Sequence, residues 1–261
     1  MPREGFVKSA QRTLEVLELF AGTHRAATVA EVARDLGYPQ SSTSILLADL
    51  ARLGYLEQDG ISRAYRPTLR VMLLGGWLQD RLIGESSLLR RMEKLRARHD
   101  VTVLIGMQAG ARVRYILTLR RPAAGLHMRA GMTRAIGRAA VGKALLMLKT
   151  DAEAQRILRR ANAEEPEAAR RVDIAAVMDS LRQARVQGWV ESGGAVVPGQ
   201  NVLAMPLPPL PEHPRLAIGL GTTEAEVARR RDSLVAALRE VCAALKREAA
   251  RRTPDQAAGK S

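Results

Sequence analysis

Two short stretches of this chain carry side chains suited to hydrogen bonding with a nucleic acid. One is the run QSSTSI at 40–45, and the other is the run RAYR at 63–66. Serine and glutamine donate and accept at base edges or phosphates, small side chains let a helix backbone come close, and guanidinium groups suit phosphate oxygens. The residues that we expect to contact DNA in these stretches are Gln40, Ser41, Ser42, Ser44, Ile45, Arg63 and Arg66.

Two helices joined by a tight turn are predicted to position the first stretch. Thr28 can cap the first helix while Glu31, three residues on, bonds back to the cap. Gly37 then ends that helix, since glycine enters the left-handed conformation without steric cost. Pro39 suits the first turn of the second helix. Its apolar spacing predicts a buried stripe of Thr43, Leu46, Leu47, Leu50 and Leu53. The face left outside would carry Ser41, Ser44, Ile45, Ala48 and Arg52.

A β-hairpin is predicted to follow and to position the second stretch. Residues 55–58 and 63–66 flank Asp59-Gly60, a strong local signal for reversal of an extended chain. Such a hairpin beside a recognition helix is a wing, which lies over the phosphate backbone and fixes the register of the protein on DNA. An ordinary helical hairpin in a core is the alternative, but it does not explain the hairpin after Gly54.

A helix at the amino terminus is predicted to close a three-helix core. It opens near Val7, with Ser9 as its cap and Gly22 as its stop. Lys8 and Arg12 lie on its first turns and are further candidates for phosphate contact. The complete outline is a winged helix-turn-helix, a fold that reads double-stranded DNA through its second helix.

The net charge of +14 does not by itself indicate DNA binding. Residues 1–80 hold nine basic and nine acidic side chains, whereas residues 81–261 hold 32 basic and 18 acidic ones. Phosphate affinity must therefore come from the placement of individual cations, for which the candidates are Lys8, Arg12, Arg63, Arg66 and Arg70. Arginine-rich runs of the second half are typical of solvated helix faces, with steering toward DNA or an acidic effector as alternatives.

Composition bounds the class of protein. A length of 261 residues and 46% hydrophobic residues favour two folded domains. The sequence has no run near the ~20 apolar residues of a membrane span and no signal-peptide core, so we expect a soluble, cytoplasmic chain without a membrane partner. The single cysteine, Cys242, lies in a helical apolar pattern and is expected to pack rather than to do redox work.

The sharpest enzymatic alternative is the run from Gly137 to Lys143, which matches the GxxxxGK spacing of a phosphate-binding loop. Such a loop needs Ser or Thr after the lysine to bind Mg²⁺, and Ala144 has no oxygen to offer. We therefore interpret Gly142 as a site where a helix approaches the sheet closely. The four histidines, His24, His99, His127 and His213, lack metal-ligand spacing, and no GxSxG elbow is present. We expect no catalytic residue, no metal and no cofactor.

The second half is predicted to be an α+β domain of strands and covering helices. The expected strands are 102–107, 112–119, 126–130, 202–207 and 215–221, and the expected helices are 86–99, 138–149, 151–161, 173–187 and 224 to about 248. We predict four parts: a winged helix-turn-helix at 1–67, a linker helix at 68–84, an α+β domain at 85–249 and a disordered tail at 250–261. The apolar linker predicts a homodimer, since paired reading heads match two operator half-sites.

Several stretches together resemble a known family. VKSAQRTLEVLELF, TVAEVARDLGYPQSSTSILLADLARLGYLEQ and YRPTLRVMLLG resemble the amino-terminal domain of IclR-type bacterial transcriptional regulators. VGKALLMLKT, QGWVESGGAVVPGQNVLAMPL and LAIGLGT resemble the effector-binding domain of that family. The resemblance implies a GAF-like second domain, a small-molecule effector and a homodimer or dimer of dimers on a pseudo-palindromic operator. Between repression and activation, we expect by default that the chain represses a catabolic operon.

The resemblance also implies an effector site, and this sequence differs from the family's usual residues at several positions. The residues carried over are Leu126, Arg134, Ala140, Val141, Ser192, Val202, Gly219 and Gly221. Ile45 stands where the family usually has arginine, Gly137 where it has histidine, and Gly194-Ala195 where it has two glutamates. The changes at Gly137 and Gly194-Ala195 argue against the small acid that is typical of the family. Val202, Gly219 and Gly221 stand where some relatives have cysteine or serine, so we expect an apolar, roomy pocket for an effector such as an aromatic acid, with Arg134 as carboxylate partner. A domain that only oligomerises, and a nucleotide-binding or small-molecule-processing enzyme fused to a helix-turn-helix, are the alternatives.

Overall fold

The computed structural model describes residues 7–76, 87–121, 128–210 and 214–252. The chain divides into two compact units, Met1–Glu85 and Ser86–Ser261. The first unit contains α1 (Lys8–Thr23), α2 (Val29–Leu36), α3 (Gln40–Arg52), β1 (Leu56–Gln58), β2 (Tyr65–Pro67) and α4 (Arg70–Leu73). The strands β1 and β2 pair antiparallel as a hairpin. The predicted winged helix-turn-helix is confirmed.

Caps of the first unit were partly predicted. Thr28 and Glu31 form the expected capping box at α2, with the Thr28 N–H donating to the Glu31 carboxylate at 2.8 Å. This bond, with others from Thr28 and Arg25, lowers the pKa of Glu31 to about 2. The expected caps of α1 are wrong, because its first backbone bond is accepted by Val7 and Ser9 is already helical. Gly22 is also helical, and His24 ends α1 in the left-handed conformation.

The three helices and the hairpin enclose one apolar cluster. Its buried members are Val16, Phe20, Ala27, Val32, Leu47, Leu50, Leu56 and Tyr65. Thr43 is also buried, so the inward face of α3 is as predicted except at Leu53, which is exposed because it follows the last helical residue. Pro39 also lies one position before α3, as its N-cap. Ala27 and Tyr65 exchange two backbone hydrogen bonds, which fix the hairpin to the start of α2.

The second unit is a six-stranded antiparallel sheet with helices packed on it. Its elements are α5 (Leu88–His99), β3 (Thr102–Ala109), β4 (Arg112–Leu119), β5 (Thr133–Ala135), α6 (Ala140–Leu146), α7 (Asp151–Glu164), a 3₁₀ turn (Ala168–Arg170), α8 (Ile174–Gln187), β6 (Val190–Glu191), β7 (Gln200–Pro206), β8 (Leu216–Thr223) and α9 (Glu224–Arg252). The strand order is β5-β4-β3-β8-β7-β6. The predicted α+β class is confirmed.

Some boundaries of the second unit differ from the prediction. The expected strand at 126–130 starts outside the described residues, and residues 128–130 form a loop, with the short strand β5 following instead. The helix expected at 138–149 is confined to Ala140–Leu146. The last helix continues to Arg252, three residues into the expected tail, of which 253–261 lie outside the described residues. Residues 77–84 of the expected linker helix also lie outside them. No described helix is long and apolar enough to cross a membrane.

Glycines allow α6 to lie unusually close to its surroundings. A Cβ at Gly106 or Gly219 would come 2.8 or 2.9 Å from a methyl group of Val141, so α6 approaches strands β3 and β8 directly. A Cβ at Gly142 would overlap the backbone carbonyl of Ile136. The expected close approach at Gly142 is therefore real, but its partner is the preceding turn rather than the sheet.

We expect Gly142→Ala to destabilise the chain, since backbone atoms of Ile136 cannot move aside as a side-chain end could. The cost should be about 1–3 kcal/mol, typical of overpacking. Gly22→Ala is the matched control, because nothing lies within 4 Å of its added Cβ and alanine favours a helix interior. Thermal unfolding of the full chain should show a lower midpoint for Gly142→Ala alone. An unchanged midpoint would contradict the close contact.

Candidate nucleic-acid interface and effector site

The outward face of α3 presents the side chains that were expected to read DNA. Gln40, Ser41, Ser44 and Ile45 are exposed, and Ile45 keeps 65% of its surface accessible. Ala48 continues this face one turn later and is also exposed. A helix surface of small polar residues with one branched apolar side chain can enter a major groove and contact base edges and thymine methyl groups.

Ser42 differs from its neighbours because its hydroxyl is already engaged. It is half-buried and donates to the Pro39 carbonyl at 3.1 Å. Arg12 donates from Nη1 to the same hydroxyl at 3.5 Å, and its guanidinium lies 4.7 Å from the centroid of the Tyr38 ring. Arg12 therefore braces the turn before α3 from α1. Its charge lies beside the start of α3, where a phosphate contact would fix the depth of the helix in a groove.

The wing places its two arginines differently. Arg66 lies opposite Glu57 in the hairpin, and its Nε approaches the Glu57 carboxylate to 2.5 Å. Arg63 was expected in a strand, but it lies in the connecting turn with a left-handed φ of +56°. Asp59 stabilises this turn by accepting from the Ile61 and Ser62 N–H groups, at 3.2 and 2.7 Å, and these bonds lower the pKa of Asp59. The exposed Arg63 is thus presented at a fixed tip.

Ion pairs neutralise many arginines of this unit, including Arg66 of the candidate interface. Arg25 pairs with Glu31 and Asp35, Arg34 with Asp35, Arg52 with Asp49 and Arg66 with Glu57. In the described part of the unit, Lys8, Arg12 and Arg63 have no carboxylate partner. Arg70 stacks on the Tyr55 ring at 5.0 Å. A unit with balanced formal charge therefore offers a few uncompensated cations at α1 and at the wing tip.

The residues expected to bind an effector are brought together only in part. Ala140, Val141, Val202 and Gly219 meet where α6 crosses β7 and β8, and Gly221 follows two residues later on the same strand. The expected roominess is absent at these described residues, because the side chains of Val141 and Val202 fill the space over Gly219. Leu126, the remaining apolar member, lies outside the described residues.

Ser192 is buried beside this cluster and is fully engaged within the chain. Its hydroxyl donates to Asn201 Oδ1 at 3.1 Å and accepts from the Val202 N–H at 3.0 Å. These bonds hold the loop after β6 against β7. A ligand would have to displace one of them to use this hydroxyl.

Arg134 lies in a different place, a polar pocket of about 310 Å³ at the β5 edge of the sheet. The residues that line it are Arg112, Thr133, Arg134, Ala135, Arg138, Glu165, Arg170 and Val196. The sequence analysis missed Arg112, Arg138 and Arg170 as site residues, because their separation along the chain gives no local pattern and arginine-rich runs are usually solvated. The expectation of an apolar pocket around Arg134 is therefore wrong.

The lysine of the phosphate-loop-like run and the single cysteine, which could serve an enzyme, make contacts within the fold instead. Lys143, of the GxxxxGK run, lies within α6 and donates to the Glu191 carbonyl at 3.1 Å, and burial lowers its pKa. Cys242 lies 3.8 Å from the Pro206 carbonyl, and burial raises the pKa of its thiol to about 11. The described residues hold no cluster of three or more His, Cys, Asp or Glu side chains that could bind a metal.

Comparison with known proteins agrees with both units. Residues 9–60 match the family described as the IclR helix-turn-helix domain, and residues 84–247 match the family described as bacterial transcriptional regulator IclR C-terminal. The HTH-type transcriptional regulator XynR of Escherichia coli K12 is 23% identical over 202 residues, which is 77% of this chain and 80% of that protein.

Two solved structures show the same fold over at least 90% of this chain. An IclR transcriptional regulator from Alicyclobacillus acidocaldarius superposes with a TM-score of 0.76 at 23% identity, covering 94% of this chain and all of the other. An IclR homologue from Microbacterium hydrocarbonoxydans, solved in complex with 4-hydroxybenzoate, gives 0.66 at 19% identity, covering 90% of this chain and all of the other.

We expect Arg63→Ala to weaken DNA binding about equally across sequences, because the uncompensated guanidinium would contact phosphate. The slope of log affinity against log salt should fall by about one. Glu57→Gln combined with Arg66→Gln is the matched control, since it removes an ion pair without changing net charge, and it should weaken binding less. Fluorescence anisotropy with labelled DNA over a range of salt concentrations measures both. Unchanged affinity and slope in Arg63→Ala would make the wing contact wrong.

Proposed function

This chain belongs to the IclR family of bacterial transcriptional regulators, and from that premise we propose that it represses a catabolic operon until an organic acid binds. The family membership establishes a regulator with a DNA-binding helix-turn-helix domain and an effector-binding domain, not an enzyme. The observation that carries the proposal is the outward face of α3. Gln40, Ser41, Ser44 and Ile45 are exposed there, and within the described part of this unit Lys8, Arg12 and Arg63 have no carboxylate partner.

We assign sequence reading to α3 and positioning to the residues around it. Gln40, Ser41 and Ser44 would hydrogen-bond base edges, and Ile45 would contact a thymine methyl group. Arg63 and Lys8 would bind phosphates. Because contacts to phosphate position a protein and contacts to bases specify the site, loss of a base contact should change sequence preference, whereas loss of a phosphate contact should not.

A second copy of the chain is the partner that we propose for the segment after the wing. Leu69, Met72, Leu73 and Leu74 expose 56–81% of their surfaces around the short helix α4. Four neighbouring apolar side chains left in water form a patch that favours association. A homodimer, or a dimer of dimers, would place two copies of α3 on the two halves of a pseudo-palindromic operator.

The effector that we propose is an aromatic acid or a related metabolite. Arg134 supports a carboxylate, because a guanidinium fork matches carboxylate geometry. The half-buried Met132 and Val196, which pack against the core cluster, support an apolar portion. The structural neighbour solved with 4-hydroxybenzoate shares this fold, which makes such acids the first to test. Leu126, Ala140, Val141, Ser192, Val202, Gly219 and Gly221 stay proposed contacts that would require the packed cluster to open.

We expect aromatic acids to raise the thermal unfolding midpoint of the full chain and to release DNA from the region upstream of its own gene. The reason is linkage: a ligand shifts a two-state regulator only if it binds one state more tightly. Benzoate and 4-hydroxybenzoate should act in both assays, while glyoxylate and pyruvate should act in neither. Stabilisation by glyoxylate or pyruvate, without stabilisation by aromatic acids, would overturn the proposed effector class. Sustained ATP turnover by the chain would favour the enzyme alternative.

A further inference from the structure

The pocket at the β5 edge of the sheet is built from segments far apart along the chain. Arg112 begins β4, Arg134 lies in β5, Arg138 precedes α6, and Arg170 ends the 3₁₀ turn. Among the described residues, only Ala135 and Val196 contribute apolar side chains to its lining. A volume of about 310 Å³ lies at the lower end of the range for small-molecule sites. Four arginines from separate segments therefore line a space that can hold a small organic molecule.

Two of these arginines keep hydrogen-bond donors available. Arg112 donates from Nε to the Thr133 hydroxyl at 3.3 Å, and Arg134 donates from Nη1 to the Thr133 carbonyl at 3.0 Å. The other N–H groups of both side chains have no acceptor in the described part of the chain. Each guanidinium is thus oriented by Thr133 but can still make the paired N–H contacts that a carboxylate accepts.

The other two arginines supply charge and shape. Arg138 donates to the carbonyls of Ala195 and Arg170, at 2.9 Å from Nε and 3.4 Å from Nη1, so it closes one wall of the pocket. These acceptors are neutral, and no carboxylate of the described residues pairs with Arg138. Arg170 pairs with Glu167 at 2.8 Å. Removing Arg138 would loosen the loop at Ala195, so this side chain is part of the frame of the pocket.

The balance of charge indicates what the pocket takes. The lining holds four arginines and one carboxylate, Glu165, and after Glu167 neutralises Arg170 an excess of two positive charges is left. Like charges held together repel one another unless an anion neutralises them. We propose that this pocket binds a small dicarboxylate, with Arg112 and Arg134 each holding a carboxylate group. A dicarboxylate fits better than a mineral anion, because the donors are spread around a cavity larger than one phosphate needs.

This inference rests on the proposed function only in taking the ligand to be the effector. It adds the place of binding and the charge of the ligand, neither of which the proposed aromatic acid requires. Phthalate and benzoate are suitable probes, since they share a ring and differ by one carboxylate. Sulfate tests whether any doubly charged anion suffices.

We expect titration calorimetry of the full chain, without DNA and at constant ionic strength, to give phthalate at least about tenfold higher affinity than benzoate. Such a factor is within the range for a charge-assisted hydrogen bond to a carboxylate. Arg112→Gln and Arg134→Gln should each weaken phthalate binding about tenfold. Arg159→Gln is the matched control, because it removes the same charge from an exposed position of α7 and should leave affinity unchanged.

Three results would overturn the dicarboxylate site. They are equal affinity for phthalate and benzoate, equal affinity for sulfate and phthalate, and an equal loss in Arg159→Gln and Arg112→Gln. Benzoate that binds alone and releases DNA would refute the dicarboxylate while supporting the proposed effector class. Phthalate that binds through Arg112 and Arg134 but leaves DNA affinity unchanged would support the pocket and refute its role in control.

Discussion

The burial of one face of α3 is the constraint on which the DNA-binding end of this protein depends. Thr43, Leu47 and Leu50 pack into the core shared by three helices and the hairpin. Because successive residues of a helix are turned by about 100°, fixing these three inward forces Ser44 and Ile45 outward. The same core includes Tyr65, whose backbone bonds to Ala27 fix the wing. One packing solution therefore sets both the reading face and the phosphate-contacting tip.

The distribution of charge then determines how the first unit would bind DNA. The excess positive charge of the chain lies in its second half, while in the described part of the first unit four of seven arginines pair with carboxylates. Non-specific attraction by the reading head should therefore be modest, and fit in the groove should carry more of the binding. An isoleucine in the reading face is consistent with this, because a methyl contact gives specificity without charge.

Sequence reasoning succeeded where a feature depends on near neighbours. The capping box of Thr28 and Glu31 and the chain reversal at Asp59 depend on hydrogen bonds between residues three positions apart. The local amino-acid sequence is therefore enough to predict them. The predicted ends of α1 were wrong. The first backbone hydrogen bond of that helix is accepted by the carbonyl of Val7, and a backbone carbonyl has no signature in the sequence. Patterns along the chain also do not show whether side chains from distant segments fill the space of an expected pocket.

The two candidate effector regions illustrate this limit. Val202 and Gly219 lie against α6, as the resemblance implied, but no pattern along the chain indicates that Val141 fills the space between them. The four arginines of the pocket are up to 58 positions apart, from Arg112 to Arg170, and the strand pairing, the turn before α6 and the 3₁₀ turn bring them together. Non-local sites of this kind require a structure.

The central claim is that the exposed face of α3, duplicated by self-association, reads a specific operator. Selection of bound fragments from the genome that encodes this chain, at physiological salt, tests it most directly. The account predicts a shared inverted repeat with half-sites about one helical turn, or a multiple of it, apart. It also predicts that Ile45→Ala changes the preferred base at one position in each half-site. Fragments without a shared sequence, or a selected sequence unaffected by Ile45→Ala, would contradict it.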